Sequence, residues 1–238
     1  MKKTHIIPIV AMTATLLLAS ACNFSSKARF DFQHPERYTI GDATFEQDID
    51  KISIDWFSGD IDILYSDNPG VCICEKADTT LNDTLSMRHY VDEDGTLNIQ
   101  FCKNGITLST KKLKKLKKRL VIEVPRGRGL DEIEIDGVNT NVTIDSVLSR
   151  EMNVDGVNAT FKAFYPTLPE EINIDAVNTT LTLHVPPTAG MTIELEGVNT
   201  EFRSELPTGK CGNKTILGDG KCEVNIDAVN GNLNIKTL

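Results

Sequence analysis

The chain has 238 residues, a formal charge of −9, 40% hydrophobic residues and 6% aromatic residues. That length suits one elongated domain with a core of its own. The acidic balance argues against nucleic acid as a partner.

Residues 1–21 read as an export signal: Lys2 and Lys3, an apolar run from Ile6 to Leu18, then small residues. The run is short for a membrane span. It ends Leu18-Ala19-Ser20-Ala21-Cys22, and a cysteine directly after small residues resembles the lipobox of bacterial lipoproteins. By that resemblance Cys22 becomes the diacylated N-terminus, with Ala19 standing where the pattern usually has Leu. Loss of Lys2 and Lys3 with the signal takes the charge from −9 to −11. Residues 22–44 carry Ser25, Ser26, Lys27, Pro35 and Gly41 without periodicity and read as a tether. Residues 45–238 then form one domain.

Within that domain Ile52-Ser-Ile-Asp55-Trp56-Phe57-Ser58 is a degenerate form of a unit whose clear copies lie in 131–238. The only Trp stands where the other copies have Gly or Ala, and it reads as an end cap rather than as an exposed contact. From Ser58 to Asn139 the unit is illegible, and strand-like runs at 70–75, 86–91, 96–102 and 105–109 predict coils or hairpins of less regular geometry. Glu93-Asp94-Gly95 is a hairpin turn signal between two of them. Cys72 and Cys74, two apart, point to one strand face, so only one can readily meet Cys102. Cys-x-Cys without a matched second pair is not a zinc pattern.

Lys111, Lys112, Lys114, Lys115, Lys117, Lys118 and Arg119 put seven basic residues in nine. Such a run reads either as a patch for an anionic partner or as a solvated loop that offsets the acidic remainder, and the solvated loop is the simpler reading.

The clear copies begin Ile133-Glu-Ile-Asp136-Gly137-Val138-Asn139. They recur with Asp155 and Asn158, Asp175 and Asn178, Glu196 and Asn199, and Asp227 and Asn230. Each opens apolar, polar, apolar, the period of a half-buried strand. An acid, a compact residue, an inward Val and an Asn then mark a corner, and apolar residues resume three places later at Val142, Phe161, Leu181, Phe202 and Leu233. Asn spacings of 19, 20, 21 and 31 residues predict an all-β fold, a single-domain β-solenoid (parallel β-helix-like) with coils of about 20 residues rising one strand spacing per repeat. Ser58 and the five Asn would then form a turn ladder. Asp55 and the five repeat acids would form an acidic ladder whose repulsion is relieved by turn amides, since the glycine-rich calcium nonapeptide is absent and no metal or other cofactor is called for. The longest interval holds Cys211 and Cys222, which predicts a disulfide closing an excursion.

The order Val-Glu-Val-Pro, a glycine turn, then Ile-x-Ile-Asp-x-Val-Asn, with Phe57-Ser58-Gly59-Asp60-Ile61 as the closest match, resembles the bacterial envelope adhesin family that carries a domain-of-unknown-function label. The resemblance covers about 51–238. It implies a β-solenoid-like fold at the cell envelope and supplies no catalytic residue. The sequence therefore predicts a non-enzymatic outer membrane lipoprotein, held to the membrane by its N-terminal lipid, that binds a surface glycan or an envelope protein. The alternative is a polysaccharide hydrolase or lyase of solenoid fold, since glycosidic cleavage uses paired carboxyl groups.

Overall fold

A computed structural model describes residues 27–238, with the side chain of Lys114 left out. Cys22 and the export signal lie outside the described residues. The chain is all-β, 66% strand and 4% helix, in a single sheet-rich domain. In chain order its elements are β1 (Lys27–Phe30), β2 (Thr39–Ile40), β3 (Ala43–Phe45), β4 (Lys51–Ser66), β5 (Val71–Ala77), β6 (Arg88–Val91), β7 (Thr96–Gln100) and β8 (Ile106–Ser109). There follow α1 (Thr110–Lys115), β9 (Lys118–Pro125), β10 (Gly129–Asp145), β11 (Leu148–Phe164), β12 (Glu171–Val185), β13 (Met191–Ser204), β14 (Gly209–Cys211), β15 (Lys214–Leu217) and β16 (Cys222–Thr237).

The six long strands, each a repeat unit, stack parallel and in register in the order β4, β10, β11, β12, β16, β13. Equivalent residues therefore sit over one another. Ile52, Ile133, Met152, Ile172, Val224 and Ile193 form one inward column, and all six are buried. Ile61, Val142, Phe161, Leu181, Leu233 and Phe202 form another beyond the corner. Each such side chain contributes about 1.5–3 kcal/mol when fully buried, so the stack is held chiefly by these apolar columns.

Two features of the order depart from a simple winding. The unit at Ile52 stacks directly on the unit at Ile133, so residues 67–128 add no further tiers between them. The last unit, β16, enters between β12 and β13 instead of following β13. The chain can do this because β14 and β15 form a hairpin whose second strand runs antiparallel to Met191–Ile193, turning the chain back before β16 begins.

The expected Cys211–Cys222 disulfide is absent, and both are free thiols. Cys211 is on β14 and Cys222 on β16, with β15 and β13 between them. Three strand spacings are roughly 14 Å, beyond the reach of a disulfide. The hairpin closes the excursion in its place. Cys72, Cys74 and Cys102 are also free.

At the β4 end the sheet divides. Lys51–Asp55 pairs with β7 and Asp60–Ser66 with β9, both parallel, and Trp56 lies between the two pairings. Trp56 is completely buried, edge-on to Phe101 at 5.1 Å. The Lys118 ammonium lies 4.8 Å from its ring and 2.5 Å from Glu75, and it also donates to the Phe101 carbonyl. Burial lowers the Lys118 pKa, opposed by Glu75. Lys118 thus belongs to the interior of the cap and not to the basic surface. Arg119 is committed to Asp62. Within the basic run α1 buries Leu113, while Lys111, Lys112, Lys115 and Lys117 remain exposed. The run reads here as a short amphipathic cap.

Residues 27–44 are not a tether. β1 pairs with β8, β2 with β6 and β3 with β5, and Phe30 is buried against Phe57 and Phe101. The hairpin signal at 93–95 joins β6 to β7, with Gly95 at a φ of 76° and Asp92 accepting from the amides of Asp94 and Thr96.

The corner differs from expectation in detail. The ladder skips the Val, passing from Gly137↔Gly156 to Asn139↔Asn158. The inward positions go to the compact residue and to the residue three places later, so the Val turns outward in the later tiers, with Val177 44%, Val229 49% and Val198 80% exposed, while Val138 near the covered β4 end stays buried at 7%. Compactness at those inward positions is enforced by contact. A Cβ on Gly137 would meet Thr140 Oγ1 at 2.5 Å, and one on Gly231 would meet the Ala228 Cβ at 2.9 Å. At Gly197, φ is +141° and a Cβ would lie 1.7 Å from the Ala228 carbonyl oxygen. We expect Gly197→Ala to lower stability by about 2–4 kcal/mol through backbone strain and displacement of β16. Gly129→Ala, where nothing approaches within 4 Å, should change it by less than about 0.5 kcal/mol, both read from chemical denaturation.

Candidate functional site: the amide and acid ladders

The corner asparagines are joined side chain to side chain. Asn158 Nδ2 donates to Asn139 Oδ1 at 3.0 Å, Asn178 to Asn158 at 2.8 Å, Asn230 to Asn178 at 2.7 Å and Asn199 to Asn230 at 2.8 Å. The cause is geometric: parallel in-register strands about 4.8 Å apart bring identical amides within reach, each both donor and acceptor. Ser58 stands in register with Asn139, but it is buried and donates to the Leu113 carbonyl of α1 at 3.4 Å. The ladder face therefore begins at Asn139. None of these asparagines adopts a left-handed backbone, because His34 and Ser146 are the non-glycine residues with positive φ among the described residues. Asn is required at the corner for its amide and not for its backbone tolerance.

A second row, on the outer face beyond the corner, places Asn141, Thr160, Thr180 and Asn232 in register. Between this row and the corner amides runs a shallow depression of ≈ 510 Å³. Its rim is a repeating grid of amides and hydroxyls.

On the other side of the corner lies a larger depression of ≈ 710 Å³ that includes Glu134, Asp136, Asp155, Asp175, Glu196 and Asp227. A second amide ladder crosses it. Asn225 donates to Asn173 and Asn173 to Asn153, each at 3.0 Å, and Asn153 donates to Glu132 at 2.5 Å. Lys51 closes the row by an ion pair to Glu132 at 2.8 Å. Burial pushes the Glu132 carboxyl up, but hydrogen bonds from Lys51 and Asn153 outweigh it and hold it below its usual range. This ladder was missed in the sequence, although its signal is there: the second residue of the unit is Asn in three of the five clear copies.

The acid column runs Asp55, Asp136, Asp155, Asp175, Asp227, Glu196 in spatial order. Its two ends differ. Asp155, Asp175, Asp227 and Glu196 are exposed, while Asp55 and Asp136 are half-buried. Asp55 and Asp136 stand next to one another in register, and both carboxyls are raised above the usual carboxylate range. Burial is the first cause raising both, followed by Glu134 for Asp55 and by Asp55, Asp155 and Glu134 for Asp136. Glu134 is raised by burial and then by Glu132, and Asp155 by burial and then by Asp175. At the closed end of the column burial and neighbouring acids favour the neutral carboxyl, and at the open end the carboxylates face solvent. Among the described residues no group of His, Cys, Asp and Glu is arranged to hold a metal ion.

A pH dependence follows. A carboxyl whose folded pKa lies above its unfolded value stabilises the fold fully below the unfolded pKa, and that stability is lost as pH rises through the folded one. Asp136→Asn removes the charge and leaves an amide of the same size beside Asp55. It should raise stability by about 1–3 kcal/mol at pH 7, and the gain should vanish below about pH 4, measured by urea unfolding across pH.

No protein-family model matches the chain, and no curated protein does. Two solved structures are similar to it. A "putative cell adhesion protein" from Clostridium sporogenes aligns over 84% of this chain and 100% of its own, with 17% identity and a TM-score of 0.61. A "putative adhesin" from Bacteroides fragilis aligns over 84% of this chain and 97% of its own, with 12% identity and a TM-score of 0.34. At such identities the first likeness speaks to fold.

Proposed function

We propose that the chain is a non-enzymatic binding scaffold of the bacterial envelope, a β-solenoid whose ladder face engages a surface glycan or another envelope protein. Cys22 would carry the lipid that holds it to the outer membrane. The observation that carries the reading is the corner itself: five amides joined in one row, with a second row of amides and hydroxyls alongside. Such a grid repeats hydrogen-bonding groups at the strand spacing. It suits an extended, repetitive ligand and offers no single reacting centre. The likeness in fold to the "putative cell adhesion protein" from Clostridium sporogenes supports the same direction.

A glycan array and an envelope-protein pull-down, each run with the native chain and with Thr160→Ala/Thr180→Ala, distinguish the two ligand classes. Binding in either arm that falls at least tenfold in the variant supports the reading, and binding unaffected by it removes the ladder face from consideration. Fatty-acid labelling of cells expressing the native chain and Cys22→Ala should mark only the native chain, whereas equal labelling would refute the anchor.

One observation favours the enzyme reading, namely that Asp136 lines the larger depression beside further acids, with Asp55 next to it in register and both carboxyls raised chiefly by burial. A polysaccharide hydrolase or lyase activity abolished by Asp136→Asn would replace the binding scaffold with that reading.

A further inference from the structure

The two ends of the strand stack are finished differently. At the β4 end, β7, β9 and α1 cover the last tier. At the β13 end the cover is partial. β16 pairs with β13 from Met191 to Ser204 on its inner side, but on the outer side β15 pairs only with Met191–Ile193. Among the described residues no strand pairs with the outer edge of 197–204. That segment, Gly-Val-Asn-Thr-Glu-Phe-Arg-Ser, lacks the Lys and Pro that commonly blunt open edges, and Val198 at its start is 80% exposed.

The charges on this edge are self-complementary. Glu201 and Arg203 project outward, with side chains 56% and 71% exposed, and pair with each other at 2.7 Å. In an antiparallel pairing of two such edges with Phe202 opposite its own copy, Glu201 of each chain faces Arg203 of the other and Thr200 faces Ser204. Directly opposed side chains in antiparallel strands lie about 5 Å apart, so opposite charges attract and like charges destabilise. Moving the axis to Glu201 would set two glutamates face to face. Moving it to Thr200 would leave Arg203 opposite Gly197. Charge therefore selects one register.

We infer that the outer edge of β13 is the docking surface for a second copy of this chain, joined antiparallel about a two-fold axis at Phe202. The closed β4 end prevents head-to-tail growth, so the pairing stops at two, as an isologous contact must. The edge includes Asn199 at the end of the amide ladder, but the charges that select the register, Glu201 and Arg203, lie outside the ladder, so the test does not depend on the adhesive reading.

The test is sedimentation velocity of the full chain in a constant mild detergent over a concentration series. The native chain should show a dimer. Arg203→Glu and Glu201→Arg, each with an unchanged melting curve, should dissociate roughly tenfold or more readily. An equimolar mixture of the two variants should recover the native dimer, because each then supplies the charge that the other lacks. A native chain that is monomeric throughout, a dimer indifferent to Arg203→Glu, or a mixture that does not recombine would each overturn the proposal. The first of these would leave the edge to a strand of a different protein.

Discussion

Parallel pairing in register is the constraint on which the rest of this molecule depends. It sets each residue above its counterpart one strand spacing away, so every position in the repeat is judged by how well that residue type packs against itself. Ile, Val and Leu succeed by excluding water in common. Asn succeeds because an amide can donate to one neighbour and accept from the other, as along Asn139, Asn158, Asn178, Asn230 and Asn199. A carboxylate fails, because two like charges at that distance repel. Where water is scarce, burial and the neighbouring acids raise the Asp55 and Asp136 carboxyls and so favour their neutral form. Solvation suffices where Asp175 and Asp227 are exposed.

The corner obeys a related rule. Two inward positions three residues apart compete for one volume, so their sizes are matched: Gly137 with Thr140, Gly156 with Ala159, and Ala228 with Gly231. A larger pair would push adjacent tiers apart and break the amide contacts outside. Packing beneath the corner thus sets the spacing of the polar grid above it, which is how a hydrophobic interior yields an ordered polar face.

Much of this was legible because periodicity is local. The unit at Ile52 is recognisable even with Ser58 in place of Asn, and it takes its place in register with Ile133. Strand runs between 70 and 109 and the turn at Asp92–Gly95 follow from alternation and turn chemistry. Tier order is different, since β12 can accept β16 or β13 with nearly the same complement of side chains. Sequence similarity cannot rank neighbours that are all alike, and the hairpin between Gly209 and Leu217 settles the matter. The expected Cys211–Cys222 pairing fails for the same reason, as the ten residues between the two thiols supply a strand and not a plain loop. Residues 27–44 read as a tether because their strands are two to four residues long, too short to show a period. The outward turn of Val177, Val229 and Val198 and the roles of Lys118 and Trp56 depend on contacts across the fold that no local window contains.

The order of tiers is where this account is most exposed. Asn178→Cys combined with Asn230→Cys joins residues 52 apart in sequence and adjacent in the stack. Asn178→Cys combined with Asn199→Cys joins neighbouring repeats that the structure separates by β16. After mild oxidation, peptide mapping should find the first pair bridged and the second pair free. A bridge between positions 178 and 199, with none between 178 and 230, would mean that the repeats stack in the order in which they occur in the chain, and the arrangement described above would be wrong.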